Sequence, residues 1–451
     1  MTTRTLSVQD AMDTTPMGAR RWAVVAFCFV IALLDGFDTQ SIAFIGTAIA
    51  DEFKLSATDM TWVITASTVG MALGAMTLGT FGDRIGRKRT ILLALAVFGA
   101  FSLAGAFATA AWQVVVLRFL IGLGMGGATP ALLALTAEYS PRKRRGTLMT
   151  LVLLGLPGGA MIGGLVAAAW LPAVGWRGIF LIGGALPVVL LLGALAVLPE
   201  SPAYLVAKGT EDALSRARTL ITRATGQTIA GGTVLTVEDA GEKRGSVAAL
   251  FSPAYRTVTV AVWATYLFNW IAWFLLLLWM PTALKTLGLD AGTAALGTVT
   301  VNAAFIVFAI PLSAVLPRVN ARTLLLGMFG AGILIALGLG AAGTQWGLVF
   351  TLIGLAGFGI GGQQLALNYL IANAYPTQLR ATATGWGIGV GRLGSIVGSA
   401  LGGVLLTGLG PSGYFAALAV PLVVAALATL LVKPARAEAP DGELEAVATG
   451  Y

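Results

Sequence analysis

The stretch that decides the fold is residues 59–109, which read DMTWVITASTVGMALGAMTLGTFGDRIGRKRTILLALAVFGAFSLAGAFAT. Two apolar runs, 59–82 and 90–109, flank a short segment that is rich in basic residues. A helix that spans a bilayer needs about 20 predominantly apolar residues, and each run has that length. The stretch therefore predicts two membrane helices joined by a tight, charged turn.

The composition extends this prediction to the whole chain. Of its 451 residues, 57% are hydrophobic and only 11% are charged, whereas soluble domains carry about 25% charged residues. An ordinary soluble enzyme is therefore excluded. The chain contains no His, which excludes a His-ligated metal site, a Ser-His-Asp triad and a His proton relay. Its single cysteine, Cys28, cannot form an internal disulfide.

Apolar runs of membrane length recur along the chain and predict an all-α membrane protein with twelve transmembrane helices in two six-helix lobes. The runs are 22–47, 59–82, 90–109, 112–135, 147–171, 178–198, 256–283, 291–316, 323–342, 345–372, 381–407 and 411–432. One long polar stretch separates the sixth run from the seventh. The predicted organisation is an N-terminal tail, a first lobe, a linker, a second lobe and a C-terminal tail, at 1–21, 22–198, 199–255, 256–432 and 433–451.

The basic residues are distributed unevenly between the two sides of these spans. Of 28 Lys and Arg residues, two lie inside spans, three (Lys54, Arg177 and Lys285) fall on one side, and the rest fall on the other. The positive-inside rule assigns the richer side, with both termini and the linker, to the cytoplasm. The net charge of +8 is thus interpreted as a topology signal, and no nucleic-acid partner is expected.

The two predicted lobes resemble each other at a nearly constant offset. Arg145 recurs as Arg380 and Gly159 recurs as Gly394, each 235 residues further on. Matched segments cross the membrane in the same direction. Parallel six-helix repeats are typical of two-lobed transporters that bind substrate between the lobes.

Three motifs make the resemblance to a known family specific. Segment 79–89, GTFGDRIGRKR, closely resembles the signature loop of the major facilitator superfamily. Arg118 with the glycines of 122–126 resembles its fourth-helix motif, and 199–202, PESP, resembles the motif that ends the first lobe of sugar and organic-ion porters. This resemblance covers almost the whole chain and implies a secondary transporter rather than an enzyme.

The first predicted helix narrows the resemblance to one branch. Segment 34–40, LDGFDTQ, is similar to the Asp-Gly-X-Asp motif of the aromatic acid:proton symporters, and 279–282 and 391–394 are also similar to that family. The resemblance implies import of hydroxybenzoate, protocatechuate or gentisate-type acids across the bacterial inner membrane. The proton gradient would supply the energy, with no cofactor. The second-lobe loop, 317–322, lacks the acidic residue of the first-lobe loop.

Two acidic residues lie near the middle of the first predicted helix. Asp35 and Asp38, at spacing i, i+3, share one face of that helix. A charged side chain at the bilayer centre costs about 2.5–3.5 kcal/mol, so a pair of them requires a function or a cationic partner. A low-dielectric site favours a carboxyl group that holds a proton, as proton coupling requires. A purely structural ion pair with an arginine is the alternative.

Arg118 and Arg392 are the two cations inside predicted spans, at depths compatible with one central cavity shared with the acidic pair. A guanidinium group binds a carboxylate through two parallel hydrogen bonds and stays charged. We therefore predict that Arg392 anchors the substrate carboxylate. Arg118 is predicted to complete the proton-coupling group with Asp35 and Asp38. The reverse assignment of the two arginines remains open, so Arg118 is also a candidate substrate ligand.

An aromatic substrate needs flat apolar walls and a few polar groups that recognise ring hydroxyls. The candidate lining residues are Tyr266, Asn269, Trp270, Trp273, Asn302, Gln364 and Asn368. The aromatic residues suit helix packing or an interfacial belt equally well. Amides in membrane helices also form hydrogen bonds between helices, and the spacing of Gln364 and Asn368 favours the substrate role most.

A second charged cluster falls at helix ends on the predicted cytoplasmic side. The resemblance implies that these charges form a gate, holding the inner side closed while the outer side is open. The cluster consists of Asp83, Arg84, Arg87, Arg89, Glu138 and Arg145. A solvated cluster that only sets the topology is the alternative.

The leading prediction is a monomeric, proton-coupled symporter whose partners are an aromatic carboxylate, protons and the lipid bilayer. Three alternatives remain: a sugar or other organic-ion porter of the same fold, a drug exporter that exchanges protons, and a membrane receptor for aromatic acids. Arg392 disfavours a sugar or a cation as substrate. The linker, 199–255, shows no signalling domain in its sequence.

Overall fold

The computed structural model describes residues 5–230, 233–237 and 246–432. Within these ranges, the side chains at positions 79–81, 83, 372, 377 and 381 are outside the description. The predicted C-terminal tail, 433–451, and part of the predicted linker also lie outside the described residues.

Nearly all described residues belong to helices. The first part of the chain forms β1 (Thr5–Ser7), α1 (Val8–Asp13), α2 (Ala19–Phe53), α3 (Ala57–Ile85), α4 (Arg87–Gly105), α5 (Ala111–Gly126), α6 (Ala128–Glu138) and α7 (Arg142–Val197). The linker forms α8 (Pro202–Lys208), α9 (Glu211–Thr225), β2 (Val234–Thr236) and α10 (Val247–Leu250). We call α2–α7 the N-lobe.

The second lobe repeats this pattern of long helices. It consists of α11 (Arg256–Thr286), α12 (Ala291–Val315), a 3-10 turn (Leu316–Arg318), α13 (Ala321–Ala341), α14 (Trp346–Ala356), a π-helical turn (Gly357–Gly361), α15 (Gln363–Ala374), α16 (Thr377–Ala417) and α17 (Ala419–Leu430). We call α11–α17 the C-lobe. The described residues contain ten segments that are long and apolar enough to cross a membrane.

Two of these ten segments have 56 and 53 residues, which is more than one crossing requires. Helix α7 contains both predicted runs 147–171 and 178–198, and its backbone leaves the helical region at Gly175 (φ 65°, ψ −177°). Tyr139, just before α7, donates a hydrogen bond of 3.1 Å to the carbonyl oxygen of Glu200, just after it. A straight 56-residue helix would be about 84 Å long. The chain therefore reverses direction at Gly175.

The same break occurs 235 residues later, as the internal repeat requires. Helix α16 leaves the helical region at Gly410 (φ 67°, ψ 177°). Backbone with positive φ and extended ψ is accessible essentially to glycine alone. Glycine also permits equivalent helix packing in the two lobes, because a Cβ at Gly159 would overlap the carbonyl oxygen of Leu33 and one at Gly394 would overlap that of Leu267.

The linker packs against one end of the N-lobe, which we call the linker face; the opposite end is the far face. Helix α9 contacts α1 and α2 there. Strands β1 and β2 pair in parallel, with Thr5 opposite Val234 and Ser7 opposite Thr236. The prediction of an all-α protein missed this pair because three-residue strands carry no periodic signal, and their partners are far apart in the sequence.

The two lobes contact each other toward the far face. Lys285 on α11 forms an ion pair of 2.6 Å with Asp51 on α2, and Asn302 on α12 donates a hydrogen bond of 3.2 Å to Gln40. Both contacts join side chains of different lobes. A Cβ at Gly164 would crowd the side chain of Val299, so a small residue is needed where α7 meets α12. The structure is thus closed at the far face.

Large apolar side chains on the outside of both lobes are exposed. Trp62 is 71% exposed, Leu334 is 71% exposed and Ile310 is 68% exposed. Soluble proteins rarely expose contiguous apolar surface on this scale, whereas lipid tails cover it without cost. This surface is the one expected of a multi-pass membrane protein.

Candidate functional site

Asp38 lies on α2 and forms a buried ion pair with Arg118 on α5. The Arg118 Nη1 atom lies 2.9 Å from Asp38 Oδ1 and 3.2 Å from Ser41 Oγ. Its Nη2 atom donates to the backbone carbonyl of Asp38 at 3.3 Å. The Arg118 side chain is fully buried, and its Nε has no partner among the described atoms. Arg118 therefore neutralises Asp38 and is fixed in place by the same contacts.

Asp35, one helical turn away, has different partners. Thr129 Oγ1 donates to Asp35 Oδ2 at 2.9 Å, and Thr39 Oγ1 donates to Asp35 Oδ1 at 3.4 Å. Thr129 lies at the start of α6, directly after the break between α5 and α6 at Gly127. Asp35 is 1% exposed, and no described cation lies within ion-pair distance of it. Hydroxyl groups alone therefore hold this carboxyl group.

Arg392 on α16 is the cation that acts on Asp35 from the other lobe. Their charges interact electrostatically, although the two groups form no direct ion pair in the described structure. The Arg392 Cζ atom lies 5.3 Å from the ring centroid of Trp270, which is a cation–π geometry. A Cβ at Gly391 would lie 3.1 Å from the Trp270 ring, so the neighbouring glycine permits this close approach. No hydrogen bond joins the Arg392 guanidinium group to another described residue, so its N–H groups remain available for an anion.

Polar side chains on α11 and α15 form one hydrogen-bond chain beside Arg392. Trp270 Nε1 donates to Gln364 Oε1. Gln364 Nε2 donates to Asn368 Oδ1 at 3.3 Å, and the same oxygen accepts from Tyr266 Oη at 2.5 Å. Gln364 and Asn368 are one turn apart on α15 and remain partly accessible to solvent. These hydrogen bonds fix the orientation of the Gln364 and Asn368 amides beside the Arg392 guanidinium group.

The other predicted lining residues make contacts within the protein. Asn269 donates to Gln363 and is 2% exposed. The Trp273 ring lies 6.2 Å from that of Phe305. Asn302 bonds Gln40 across the lobe interface and the carbonyl oxygen of Thr298 at 2.9 Å. The contacts described for these side chains therefore join helices to one another.

Sequence reasoning did not single out Thr129, Ser41 or Gln40. Ser41 lies three residues after Asp38 and Gln40 two residues after it, so the neighbourhood of the acidic motif in the sequence indicated both positions. Thr129 is separated from Asp35 by 94 residues, and only the packing of α6 against α2 brings it there. No pattern within one segment reveals such a contact.

The predicted gate residues occupy the linker face, and their described contacts stay within the N-lobe and the linker. Arg87 Nε lies 3.8 Å from Glu138 Oε1, and Glu138 Oε2 accepts from Ser201 Oγ at 2.5 Å. The carbonyl oxygen of Arg84 accepts from Tyr204 Oη at 3.1 Å. Of the other three predicted gate residues, Arg89 and Arg145 have no described acidic partner, and the Asp83 side chain lies outside the described structure.

The described residues contain no group of three or more Cys, Asp or Glu side chains arranged to hold a metal ion. The candidate site combines a carboxyl group held by hydroxyls, an ion pair, and an arginine that can bind an anion, so the chemistry that it offers is electrostatic. Amides beside that arginine can donate to or accept from a hydroxylated ligand.

Comparison with known proteins supplies independent findings. The sequence profile described as Major Facilitator Superfamily matches residues 28–386 and 262–449. The chain is 35% identical over 435 residues to a gallate transporter of Pseudomonas putida, which covers 96% of each protein. It is 33% identical over 405 residues to the 4-hydroxybenzoate transporter PcaK of Acinetobacter baylyi, covering 89% of this chain and 88% of that one.

A solved structure shares the fold. The partially occluded inward-open conformation of the Escherichia coli xylose transporter XylE superposes with a TM-score of 0.73. The superposition covers 94% of this chain and 100% of that one, at 16% sequence identity. At this identity, the similarity concerns the arrangement of helices alone.

Proposed function

The chain belongs to the major facilitator superfamily and is a transporter, and we propose that it imports hydroxylated aromatic carboxylates together with protons. The substrate class is supported by the relatives named for gallate and 4-hydroxybenzoate. It is also supported by an arginine that lies on an indole ring beside two oriented amides.

The observation that carries the proposal is the unequal pairing of the two acidic residues. Asp38 has an arginine at 2.9 Å, while Asp35 is held by two threonines and interacts with Arg392 only at longer range. A proton on Asp35 would remove the attraction between that residue and Arg392. The arginine is then free to bind a carboxylate, so proton and anion favour each other's binding.

The charges of the four groups make this coupling self-consistent. Two carboxylates and two guanidinium groups sum to zero in the empty site. A bound proton and a bound carboxylate anion also sum to zero, so the fully loaded site is neutral as well. A site loaded with only one of them carries a net charge in a low-dielectric region, which is costly. Movement between the two sides is therefore favoured for the empty and the fully loaded protein.

We propose that the substrate ring lies against Trp270, with its carboxylate on Arg392 and its hydroxyl groups on Gln364 and Asn368. A hydrogen bond between a ring hydroxyl and one of these partly accessible amides contributes about 0.5–1.5 kcal/mol. A hydroxylated ring that satisfies these amides is thus expected to bind more tightly than an unsubstituted one. Asn269, Trp273 and Asn302 are assigned to helix packing in the conformation described, and their contact with substrate remains a prediction.

The proposed topology has twelve crossings, with the linker face and both termini in the cytoplasm of a bacterium and the far face outward. The reversals at Gly175 and Gly410 divide the two longest segments into four crossings. The excess of Lys and Arg at the linker face supports this orientation. With the lobes in contact at the far face, the conformation described is closed to the outside, as alternating access requires of one state.

Uptake into proteoliposomes tests the proposal. The full-length protein is reconstituted, and accumulation of labelled 4-hydroxybenzoate, gallate, gentisate, benzoate and glucose is measured with and without an inwardly directed proton gradient. We expect gradient-dependent accumulation of the hydroxylated acids, weaker accumulation of benzoate, and none of glucose. Accumulation of glucose, or aromatic uptake that ignores the gradient, would contradict the proposed function.

A further inference from the structure

A large basic cavity lies at the linker face, away from the site between the lobes. It has a volume of about 900 Å³. Its walls are the start of α2, the start of α4, the end of α7, and helices α8 and α9. The transport proposal makes no use of this cavity.

Among the charged residues that line the cavity, cations outnumber anions. Six basic side chains line it, namely Arg20, Lys88, Arg89, Lys208, Arg216 and Arg223, against two acidic ones, Glu200 and Asp212. Both acidic groups have partners already: Glu200 Oε1 accepts from the backbone N–H groups of Lys88 and Ser201, and Asp212 pairs with Arg216 at 3.2 Å. The cavity thus has an excess of positive charge without a described counter-charge.

Five of these six cations, all except Arg216, have no described anionic partner. Arg89, Lys208 and Arg223 form no ion pair with any acidic residue in the described parts of the chain. Like charges gathered around one space repel each other, so such a cluster is stabilised by an anion that occupies the space. The geometry of several Arg and Lys side chains around one volume suits the oxygens of a phosphate group.

One wall of the cavity is apolar and leads to the lipid-facing surface. Leu92, Ala196 and Val197 form part of the lining. Ala196 and Leu192, one turn apart on the same face of α7, are both exposed, Leu192 by 64%. Lys88 Nζ donates to the carbonyl oxygen of Leu195 at 3.0 Å, so a cation lies at the linker-face end of this apolar surface. The surface runs along α7 toward the middle of the membrane.

The depth of the cavity matches the headgroup region of a bilayer. Helix α4 begins at Arg87 and α7 ends at Val197, and the ends of membrane helices lie near the headgroups. Basic pockets between helices at this level are suited to anionic lipid headgroups. A soluble anion would use the cations alone and would gain nothing from the adjoining apolar surface.

We propose that this cavity binds the phosphate headgroup of an anionic phospholipid, with the acyl chains lying on the exposed face of α7. The ligand contacts the linker through Lys208 at the end of α8 and through Arg216 and Arg223 on α9. It contacts the N-lobe through Arg20, Lys88 and Arg89. Binding therefore fastens the linker to the N-lobe.

Lipid retention by the full-length protein tests this site. The detergent-purified protein is titrated with phosphatidylglycerol or phosphatidylcholine, and bound lipid is counted by native mass spectrometry. We expect tight retention of phosphatidylglycerol and at least tenfold weaker retention of phosphatidylcholine. The double variant Lys208→Gln, Arg223→Gln should bind phosphatidylglycerol on the order of 30-fold more weakly, because each cation near a membrane surface contributes about fivefold to the affinity. Both side chains are exposed, so folding is not at risk.

The matched control is the double variant Lys143→Gln, Arg144→Gln, which removes two exposed charges at the start of α7 that do not line the cavity. It should retain phosphatidylglycerol like the wild type. Equal weakening by both variants would reduce the effect to general surface charge and overturn the proposal. Competition by inorganic phosphate or glycerol phosphate at millimolar concentration would identify a site for soluble phosphate instead. Equal thermal unfolding temperatures without lipid verify that each variant is folded.

Discussion

Asp35 and Asp38 are three residues apart on one helix, yet their environments separate their roles. The Asp38 carboxylate has the strong, buried contact with Arg118, and removing one member of such a pair typically costs 3–5 kcal/mol of stability. Asp35 has only hydroxyl donors in direct contact. We therefore propose that Asp38 acts mainly in structure and that Asp35 binds and releases the proton.

The substitution Asp35→Asn should separate proton-driven uptake from exchange. An amide resembles a carboxyl group that is permanently protonated, so Arg392 stays free to bind substrate but no proton is released. We expect accumulation against a gradient to be lost, while exchange of external for internal substrate continues. Labelled hydroxybenzoate in proteoliposomes measures both.

The control for this variant is Asp10→Asn, which changes an exposed acidic residue on α1 outside the site. It should accumulate substrate like the wild type. If Asp35→Asn accumulates substrate with a normal response to pH, the assigned role of Asp35 is wrong.

Arg392 and Arg118 are both arginines inside a lobe, but substituting each by lysine should have different consequences. Lysine at position 392 keeps the positive charge. It cannot form two parallel hydrogen bonds to a carboxylate, and it cannot stack a planar group on the Trp270 ring. Hydrogen bonds to charged groups contribute about 1.5–3 kcal/mol, so Arg392→Lys should raise KM about 10- to 100-fold while the protein remains folded.

Arg118→Lys, the comparison variant, should instead reduce the stability of the protein, because Lys cannot reproduce the contacts of Arg118 with Asp38 and Ser41. Its thermal unfolding temperature in detergent should fall. The opposite pattern, with an unchanged KM in Arg392→Lys and a raised KM in folded Arg118→Lys, would exchange the roles of the two arginines.

At the level of helices, glycine determines where the chain reverses and how closely helices approach. Gly175 has a backbone conformation that costs a residue with a side chain about 1–3 kcal/mol. A Cβ at this position would have no atom within 4 Å, so any effect of Gly175→Ala comes from the backbone and not from a clash.

We therefore expect Gly175→Ala to destabilise the protein by about 1–3 kcal/mol, measured by thermal or detergent-induced unfolding. The control is Gly327→Ala, which lies within α13 and also has no atom within 4 Å of its Cβ. Alanine is the better helix former, so that variant should be equally stable or slightly more stable. Equal effects of the two substitutions would show that the conformation of Gly175 imposes no constraint.

At the level of the whole molecule, closure at the far face depends on contacts between the lobes. The Lys285–Asp51 pair joins them, whereas the neighbouring Arg177–Glu52 pair, at 2.6 Å, lies entirely within the N-lobe. An exposed ion pair contributes up to about 1 kcal/mol, which corresponds to roughly a fivefold change in a two-state equilibrium.

Reversing the charge in Lys285→Glu should therefore shift the population toward a state that is open at the far face. Distances between spin labels at Lys54→Cys and Thr286→Cys report the opening, and the buried Cys28 does not interfere. The double reversal Asp51→Lys, Lys285→Glu should restore closure, and Glu52→Gln should leave it unchanged. A distance distribution in Lys285→Glu that matches the wild type would contradict this assignment.

Much of the architecture followed from the sequence, because the bilayer imposes a simple rule. A membrane helix must satisfy its own backbone hydrogen bonds, so each apolar run of about 20 residues predicts a helix. Ten described apolar segments overlap the twelve predicted runs, and the 235-residue repeat reappears in the backbone breaks at Gly175 and Gly410. Charges inside such runs are rare, so the sequence also singled out the four charged residues of the candidate site.

Only the tertiary structure decided which side chains those four charged residues contact. The partners Arg118–Asp38 and Thr129–Asp35 are 80 and 94 residues apart, and helical periodicity describes one segment at a time. It cannot specify how two segments rotate against each other. Closure at the far face and the basic cavity beneath the linker likewise arise from packing between elements, because side chains distant in the chain become neighbours only when the helices associate.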